Sequence, residues 1–494
     1  MDGKNYINGK FVASNTNKTF ESRNPANTDE IIGTFPTSDE KDVNIAVEAA
    51  SNAFPSWRSL SRIKRGEYVD AFTQIIKRDH EEISRLVARE CGKGINESRA
   101  DVTEGIHMVQ YCFATTRMPF GDVVASEIAE KDSFMRRKPK GVVAAISPWN
   151  FPFAIPLWLI GPSITEGNTS ILKPSSETPA VAHRMSEAFH EAGFPPGVIN
   201  VIYGSGGECG NTLVKRLETV VVLFVGSYEV GAGIKKICAE YSNKMCACEM
   251  GGKNAIIVLD DADLDIAIKS AVISAFKTTG QRCTSTSRLI VHKKVLSKFE
   301  KGFVDMAKRM RIGDPLNEDV FMGPLINEAS VKKVTSYNDL SKKEGAEILL
   351  EGKRLTDKEY KKGCFMSPHI YRMKFNPKSR VLNEEVFGPH VAIIPVEDLD
   401  GAIEVYNSTE YGLCLSVITE DYRKVREVRE RCEYGLGYVN LPTIGAEVHL
   451  PFGGVKKSGT GLPSASTLVD VVTHRTAWTV NNAREIKMPQ GMKV

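Results

Sequence analysis

Residues 274–288 hold a cysteine in a setting that could make it a nucleophile. Cys283 follows the tripeptide Gly-Gln-Arg at 280–282 and precedes a run of small hydroxyl residues. A thiol attacks as the thiolate, so a catalytic cysteine needs a partly exposed pocket with positive charge and hydrogen-bond donors. A neighbouring glycine lets the backbone approach a bound ligand closely. Since most free cysteines are buried small hydrophobic residues, this stretch alone leaves both interpretations open.

Two further polar residues have side chains suited to the same chemistry. Glu249 stands beside two glycines in C-E-M-G-G-K, where a carboxylate could turn toward a water molecule as a general base. The alternative is a loop carboxylate paired with Lys253. Asn150 lies in P-W-N-F-P, and such an amide could donate to a developing oxyanion or close an Asx-turn.

Composition and charge restrict the class of protein. A chain of 494 residues predicts two or three domains. Lys+Arg 64 and Asp+Glu 61 give a net charge of +3, and no dense basic run indicates nucleic acid as a partner. Residues 141–165 carry no charge but contain four prolines, which argues against a membrane span. Ten cysteines without a C-x-x-C pair and an N-terminus without an apolar signal segment predict a reduced, cytoplasmic protein.

Other catalytic and metal motifs are missing from the sequence. It contains no Walker A motif, no G-x-S-x-G and no H-E-x-x-H. The aspartates at 260, 261, 263 and 265 lack EF-hand spacing, and we expect a helix start there. No metal site is predicted.

The hydrophobic pattern predicts the elements that position these residues. Residues 38–90 have the spacing of two amphipathic helices, with Ser38 or Asp39 as the first cap. From residue 141 onward strands alternate with helices, which predicts an α/β fold with a parallel sheet covered on both faces. The strands are expected at 141–146, 169–173, 198–203, 220–225 and 255–259, and the helices at 179–192 and 230–241.

Glycine-rich turns after two of these strands are candidate phosphate sites. Residues 226–231 open a helix directly after a strand, where free amides and the helix dipole favour anions. Residues 204–210 read G-x-G-x-x-x-G, which differs from the dinucleotide fingerprint by one position. The last strand, at 471–480, needs another segment or another subunit as a partner.

Seven motifs taken together resemble the aldehyde dehydrogenase superfamily. They lie, in the family's order, at 148–152, 173–175, 224–227, 249–253, 280–283, 385–389 and 451–454. The resemblance implies catalysis by Cys283, Glu249, Asn150 and Lys173. In these roles the Cys283 thiolate adds to an aldehyde, Asn150 and the Cys283 amide hold the oxyanion, and Glu249 activates the water that releases the acid.

The resemblance also implies a fold with a Rossmann-like cofactor domain, an α/β catalytic domain and a small β hairpin for oligomerisation. We expect the cofactor domain at 1–117 and 141–250 and the catalytic domain at 251–470. The oligomerisation segments are expected at 118–140 and 471–494, where the hairpin would pair with a neighbour's C-terminal strand. A homodimer or homotetramer follows from such an exchange.

A nicotinamide dinucleotide is the implied cofactor. NAD-preferring relatives usually carry a glutamate three residues after the lysine, whereas this chain has Ser176 there and the acid at Glu177. Loss of that carboxylate removes repulsion against a 2′-phosphate, so NADP is expected, with NAD possible. Two further departures are Val225 in place of a threonine and Pro463 in place of a glutamate. The implied cofactor contacts are Ile146, Pro148, Trp149, Lys173, Ser175, Ser176, Gly206, Gly226, Ser227, Val230, Met250, Gly251, Glu385 and Phe387.

The substrate is expected to be a carboxylated semialdehyde. Residues 151–158, 280–288 and 445–454 are most similar to those of α-ketoglutarate semialdehyde (2,5-dioxovalerate) dehydrogenases. The alternatives are an α-aminoadipic semialdehyde dehydrogenase, a broad-specificity enzyme that also accepts glyceraldehyde, and a non-enzymatic binding protein. Arg282 or Arg117 could hold the carboxylate as a planar fork. The expected substrate contacts are Phe153, Trp158, Arg282, Thr284 and Phe452.

Overall fold

A computed structural model of the chain describes residues 1–461 and 464–488. Pro463 and the last six residues of the expected oligomerisation segment lie outside them. The α-helices are α1 Glu40–Ser59, α2 Arg62–Arg78, α3 His80–Cys91, α4 Ile95–Thr115, α5 Ala154–Thr165, α6 Pro179–Glu191, α7 Asn211–Lys215, α8 Tyr228–Ala239, α9 Leu264–Phe276, α10 Lys293–Lys308, α11 Glu328–Lys343, α12 Arg380–Asn383, α13 Leu399–Asn407, α14 Tyr422–Arg431 and α15 Leu468–Val472.

The strands alternate with these helices through most of the chain. They are β1 Asn5–Ile7, β2 Lys10–Val12, β3 Thr19–Asn24, β4 Asn27–Pro36, β5 Val123–Val124, β6 Lys131–Pro139, β7 Val142–Ile146, β8 Thr169–Lys173, β9 Ile199–Val201, β10 Thr219–Val225, β11 Met245–Glu249, β12 Asn254–Val258, β13 Thr286–His292, β14 Glu347–Leu350, β15 His369–Arg372, β16 His390–Val396, β17 Tyr411–Gly412, β18 Cys414–Ile418, β19 Leu436–Val439, β20 Pro451–Phe452, β21 Val455–Lys456, β22 Gly459–Thr460, β23 Ser464–Ala465 and β24 Thr473–Asn481.

Two large sheets organise the molecule. The first has the order β2-β1-β9-β8-β7-β10-β11-β22 and is parallel from β9 to β11. The second has the order β14-β15-β16-β13-β12-β18-β19 and is parallel from β15 to β19. The prediction of a parallel sheet is therefore confirmed, and each of the five expected strands lies within a residue or two of its predicted bounds.

Both faces of the first sheet are buried, as expected of a parallel sheet. Val143 and Leu223 point into one apolar cluster, whereas their neighbours Ala144 and Val222 point into another. Helices pack against each face, which explains why the apolar residues of these strands occur in continuous runs instead of at every second position. The second sheet is likewise buried on both faces, with Ile257 and Ile256 in different clusters.

The N-terminal helices differ in number from the prediction. Asp39 caps α1, since its carboxylate accepts from the amides of Lys41 and Asp42. The region of two expected helices contains three, because α3 begins directly after Asp79 ends α2. The carboxylate of Glu90, near the end of α3, accepts hydrogen bonds from the amides of Ala180 and Val181 at the start of α6.

A third, three-stranded sheet has the order β24-β6-β5. It shows that the expected pairing with a neighbour's C-terminal strand was wrong, because that strand pairs within the chain. Strand β24 pairs antiparallel with β6 of the same chain, from Thr473 opposite Pro139 to Asn481 opposite Lys131. The first two residues of the predicted strand, Val471 and Val472, belong instead to the short helix α15. Strand β24 begins directly after this helix, beside the end of β6. The Lys140 amide donates to the carbonyl of Val472 at this junction, so the pairing forms within one chain.

No helix in the described part of the chain is long and apolar enough to cross a membrane.

Candidate active site

A strained loop presents Cys283 between α9 and β13. Thr278, Thr279 and Gly280 all have positive φ, at 53°, 58° and 69°. Non-glycine residues adopt this conformation only when the surroundings hold them there. The buried carboxylate of Glu97, on α4, accepts from the Thr278 amide at 3.0 Å and from the Thr278 hydroxyl at 2.8 Å. Helix α4 therefore fixes the start of the loop.

The remainder of the loop is bonded on both sides of the thiol. The Gln281 side-chain oxygen accepts from the amide of Ile326 at 2.9 Å. On the other side, Asn254 Nδ2 donates to the carbonyl of Cys283 at 2.6 Å, and Thr443 Oγ1 donates to the carbonyl of Thr284 at 2.7 Å. The half-buried thiol thus projects from a backbone with little freedom to move.

Glu249 ends β11 as a buried carboxyl group without an ion-pair partner. Its Oε2 accepts from the Gly454 amide at 3.3 Å, and its Oε1 accepts no hydrogen bond from the described residues. Burial raises the pKa of Glu249 well above its usual range, and the charge of Glu385 raises it further. The alternative pairing with Lys253 does not form, because Lys253 Nζ donates to the carbonyl of Glu384 at 2.8 Å.

The side-chain amide of Asn150 is hydrogen-bonded to the loop that carries Cys283. Its Nδ2 donates to the carbonyl of Gln281 at 3.0 Å, and the side chain is buried. An amide nitrogen has two N–H donors, and Asn150 lines the same space as Cys283. The geometry therefore leaves one donor for an oxygen beside the sulfur.

Cys283 and Glu249 lie where two cavities meet. The aromatic cavity, of about 430 Å³, is bounded by Phe151, Trp158 and Phe452. The strand-edge cleft, of about 250 Å³, lies at the carboxyl ends of β7, β10 and β11. The residues common to both are Ile155, Val225, Glu249 and Cys283. A thiol at this junction can reach ligands in both spaces at once.

Most of the expected cofactor contacts lie around the strand-edge cleft. Those that line it are Pro148, Trp149, Gly226, Ser227, Met250, Gly251, Glu385 and Phe387. Ile146 and Lys173 are register partners at the ends of β7 and β8. Ser176 Oγ donates to the Gly204 carbonyl at 3.1 Å. Ser175, Gly206 and Val230 follow β8, β9 and β10 on the same edge of the sheet, with Val230 inside α8.

The cleft fits the phosphates and ribose of a dinucleotide. Ser227 is the N-cap of α8 and its side chain makes no capping bond, which leaves first-turn amides for an anion. At Gly251, an added Cβ would lie 2.3 Å from the Glu385 carboxylate. The Gly252 amide donates to that carboxylate at 2.8 Å. The glycines thus bring the backbone to the cleft, with Glu385 placed as an acceptor for hydroxyl groups.

Four of the five expected substrate contacts line the aromatic cavity, namely Trp158, Arg282, Thr284 and Phe452. The ring of Phe153 lies instead in the core under α4, where a Cβ on Gly105 would meet it at 2.7 Å. Arg117 is exposed and does not border the cavity. Arg282 forms an ion pair with Glu97 and lies 5.0 Å from the centre of the Phe151 ring.

An acidic face of α4, not predicted from the sequence, also lies at the site. Glu97, Asp101 and Glu104 all line the aromatic cavity, and their spacing of three and four residues places them on one face of a helix. That spacing was available in the sequence. What it could not show is that this face turns toward Cys283 and not toward solvent.

The aspartates at 260–265 have structural partners. Asp263 caps α9, and Asp260 and Asp261 both pair with Lys424. This agrees with the expected helix start. In residues 1–461 and 464–488 no group of three or more ligand-type side chains is arranged for a metal ion.

The surroundings of Cys283 favour the neutral thiol over the thiolate. Burial raises its pKa, and the nearby carboxyl groups of Glu249 and Glu385 raise it further, against the smaller effects of Arg282 and the Thr284 amide. Charge in the two cavities therefore controls how much thiolate is present.

Comparison with known proteins assigns the family. The model of the aldehyde dehydrogenase family matches residues 11–477. The chain is 36% identical over 454 residues to an alpha-ketoglutaric semialdehyde dehydrogenase of Bacillus subtilis, covering 92% of this chain and 93% of that one. It is also 36% identical over 467 residues to a 1-pyrroline-5-carboxylate dehydrogenase of Bacillus licheniformis, covering 93% and 88% of the two chains.

Solved structures agree with this assignment. A betaine aldehyde dehydrogenase from Staphylococcus aureus in complex with NAD+ matches with a TM-score of 0.94 at 32% identity, covering 98% of this chain and 95% of that one. An NAD-dependent aldehyde dehydrogenase from Sinorhizobium meliloti matches with a TM-score of 0.94 at 30% identity, covering 99% and 97%. The chain belongs to the aldehyde dehydrogenase family. It is an NAD(P)-dependent oxidoreductase that acts on aldehydes, as the resemblance implied.

Gly280 and Gly193 offer a matched test of the strained loop. Both have positive φ, but a Cβ at Gly280 would lie 2.3 Å from the Gly388 carbonyl, whereas one at Gly193 would meet nothing within 4 Å. We expect Gly193→Ala to cost about 1 kcal/mol of stability with full activity. Gly280→Ala should lower aldehyde oxidation at least about tenfold, because Cys283 is displaced. Thermal unfolding and steady-state rates measure both, and equal effects in the two variants would contradict this account.

Proposed function

We propose that Cys283, Asn150 and Glu249 carry out the oxidation of a carboxylated semialdehyde to the acid, with NADP as the preferred cofactor. The observation that supports these roles is the position of the Cys283 thiol and the Glu249 carboxyl at the junction of the aromatic cavity and the strand-edge cleft. An aldehyde in the first cavity and a dinucleotide in the second would both lie against the sulfur.

In the first step the Cys283 thiol loses its proton to solvent, and the resulting thiolate adds to the aldehyde carbon. The negative charge that develops on the oxygen is stabilised by the free N–H of Asn150 and by the Cys283 amide, which act without reorganisation because the loop is fixed. A nicotinamide dinucleotide held in the strand-edge cleft would supply the hydride acceptor. After hydride loss the substrate is held as a thioester on Cys283.

Glu249 serves the second step, hydrolysis of that thioester. Its raised pKa makes it a stronger base than an exposed carboxylate. Its unbonded Oε1 can accept a proton from water next to the sulfur. Release of the acid returns Cys283 as a thiol. The same arrangement argues against a purely binding role, which would need neither nucleophile nor base.

Replacement of Cys283 or Glu249 separates the two steps. We expect Cys283→Ala to abolish reduction of the dinucleotide on addition of aldehyde. Glu249→Gln should retain a burst of reduced dinucleotide equal to the enzyme concentration and then turn over at least about a hundredfold more slowly, because the thioester accumulates. Stopped-flow absorbance and intact mass report both, with Cys432→Ala as a control for loss of a buried thiol. Steady aldehyde oxidation by Cys283→Ala would refute the role of the sulfur.

The cofactor proposal rests on the residues that follow Lys173. The Glu177 carboxyl bonds to Asn327, the N-cap of α11. Ser176 presents only a hydroxyl at the position where NAD-preferring relatives have a carboxylate. Burial lowers the pKa of Lys173, and its ammonium group at the end of β8 is a donor for adenosine oxygens or a 2′-phosphate.

A carboxylate restored at position 176 should reverse the preference. We expect Ser176→Glu to lower kcat/KM with NADP at least about tenfold relative to NAD, because its charge repels the 2′-phosphate. Ser176→Gln, of the same size and uncharged, is the matched control and should retain most of the NADP activity. A wild-type enzyme with a larger kcat/KM for NAD than for NADP contradicts the cofactor proposal and leaves the thiol chemistry untouched.

The substrate proposal rests on the aromatic cavity and on the similarity to semialdehyde dehydrogenases. The cavity combines apolar rings with the positive charges of Arg282 and Lys277 and the acidic face of α4. On that face Glu97 is paired with Arg282 and Asp101 with Lys93. Burial raises the pKa of Glu104 to about 8. The charge of Asp101 also raises this pKa, whereas the charges of Arg282 and Lys93 lower it. Glu104 is therefore uncharged at neutral pH, when the cavity is best suited to a substrate carboxylate.

The charge of Glu104 makes a pH-dependent prediction about the substrate. As the pH rises through about 8, Glu104 ionises and should raise KM for a carboxylated semialdehyde but not for an aliphatic aldehyde of equal length. Glu104→Gln should remove the difference. The measurement is kcat and KM for both aldehydes across this range. Equal kcat/KM for the two aldehydes at neutral pH would refute the semialdehyde proposal and favour broad specificity. A loss of affinity in Glu104→Gln confined to an aldehyde with an ammonium group would favour the α-aminoadipic alternative.

A further inference from the structure

Three thiols lie together away from Cys283, on the far side of β11. Cys246 and Cys248 are two residues apart in β11 and so point to the same face of the first sheet. Cys238 lies in the last turn of α8, which packs on that face. None of the three takes part in the chemistry proposed above.

The sulfur of Cys246 lies between the other two thiols and within hydrogen-bonding reach of each. The sulfur of Cys246 bonds with the thiols of Cys238 and Cys248, and Cys248 also approaches the carbonyl of Gly231 at 3.9 Å. Cys238 and Cys248 are buried, whereas Cys246 is partly exposed, and all are reduced. The central thiol is therefore the one that a small solute can reach.

The arrangement favours the thiolate at the central position. Donation from Cys238 and Cys248, together with the charge of Lys235, lowers the pKa of Cys246 against the effect of burial. The same contacts raise the pKa of the two outer thiols. A partly exposed thiolate with a thiol beside it is the setting in which cysteine reacts reversibly with oxidants.

We propose that Cys246 and Cys238 form a peroxide-reactive pair, with Cys246 as the attacking thiolate and Cys238 as the resolving thiol. The Cys246 sulfur attacks a hydroperoxide, so that an S–O bond forms, the O–O bond breaks and the leaving oxygen takes a proton to become an alcohol or water. Cys238 then attacks the sulfenic sulfur and gives up its proton. An S–S bond forms and water leaves, so two electrons pass from the thiols to the peroxide.

Geometry selects Cys238 over Cys248 as the resolving thiol. Alternate residues of a strand are about 6.6 Å apart along it, whereas the Cβ atoms of a disulfide are about 3.8 Å apart. Cys246 and Cys248 cannot meet this condition without breaking β11. Cys238 comes from a separate element that faces Cys246, so small movements of the end of α8 can close the bond.

Peptide mapping tests the proposal on the full-length protein. Trypsin cleaves after Lys236, Lys244 and Lys253, which places Cys238 and Cys246 in different peptides. After treatment with hydrogen peroxide, we expect these two peptides to be joined by a disulfide, with the loss of two hydrogen atoms. The Cys283→Ser background removes competition from the catalytic thiol, and thermal unfolding checks that each variant is folded.

Single replacements assign the roles. Cys248→Ser should keep the bond between positions 238 and 246, and Cys246→Ser should lose it. Cys238→Ser should accumulate a sulfenic acid at Cys246 that dimedone traps. The proposal is overturned if Cys246 remains a free thiol after treatment in Cys248→Ser, or if Cys246→Ser consumes peroxide as fast as its parent. Because no readout involves aldehyde or dinucleotide, failure here is distinct from failure of the proposed function.

Discussion

The site depends on a loop in which three consecutive residues keep a left-handed backbone conformation just before Cys283. Thr278, Thr279 and Gly280 adopt this conformation, which costs free energy at the two threonines. The cost is offset by buried hydrogen bonds to Glu97, whose charge is also balanced by Arg282. Without that carboxylate the loop would lose the anchor that aligns Cys283 with Asn150. The helix α4 thus acts on the chemistry without donating a reacting group.

Burial sets the ionisation of the site in a consistent direction. Glu249 is buried and Cys283 is half-buried, which raises both pKa values, and the carboxyl group of Glu249 raises the pKa of Cys283 further. A neutral thiol and a protonatable base are the result. This suits a two-step reaction in which the sulfur must become an anion for the first step and the carboxyl group must accept a proton in the second.

The two groups to which we assign the chemistry come from different sheets. Glu249 ends a strand of the first sheet, whereas Cys283 leads into β13 of the second. The cleft lies at the carboxyl ends of parallel strands, the usual position for a ligand site in an open α/β sheet. The thiol cluster around Cys246 lies on the same strand as Glu249 but on the opposite face of the sheet, so one strand borders two distinct chemical environments.

The sequence by itself predicted the strands and the family motifs, because these depend on local apolar runs and on short motifs of fixed spacing; the roles of Cys283 and Glu249 are proposals that rest on those motifs. The tertiary structure alone decided which side chains meet. In the folded chain the acidic face of α4 lies toward Cys283, Phe153 is buried in the core, and β24 pairs with β6 of the same chain. These outcomes depend on how distant elements pack, and the spacing of residues along a chain carries little information about contacts more than a hundred residues apart.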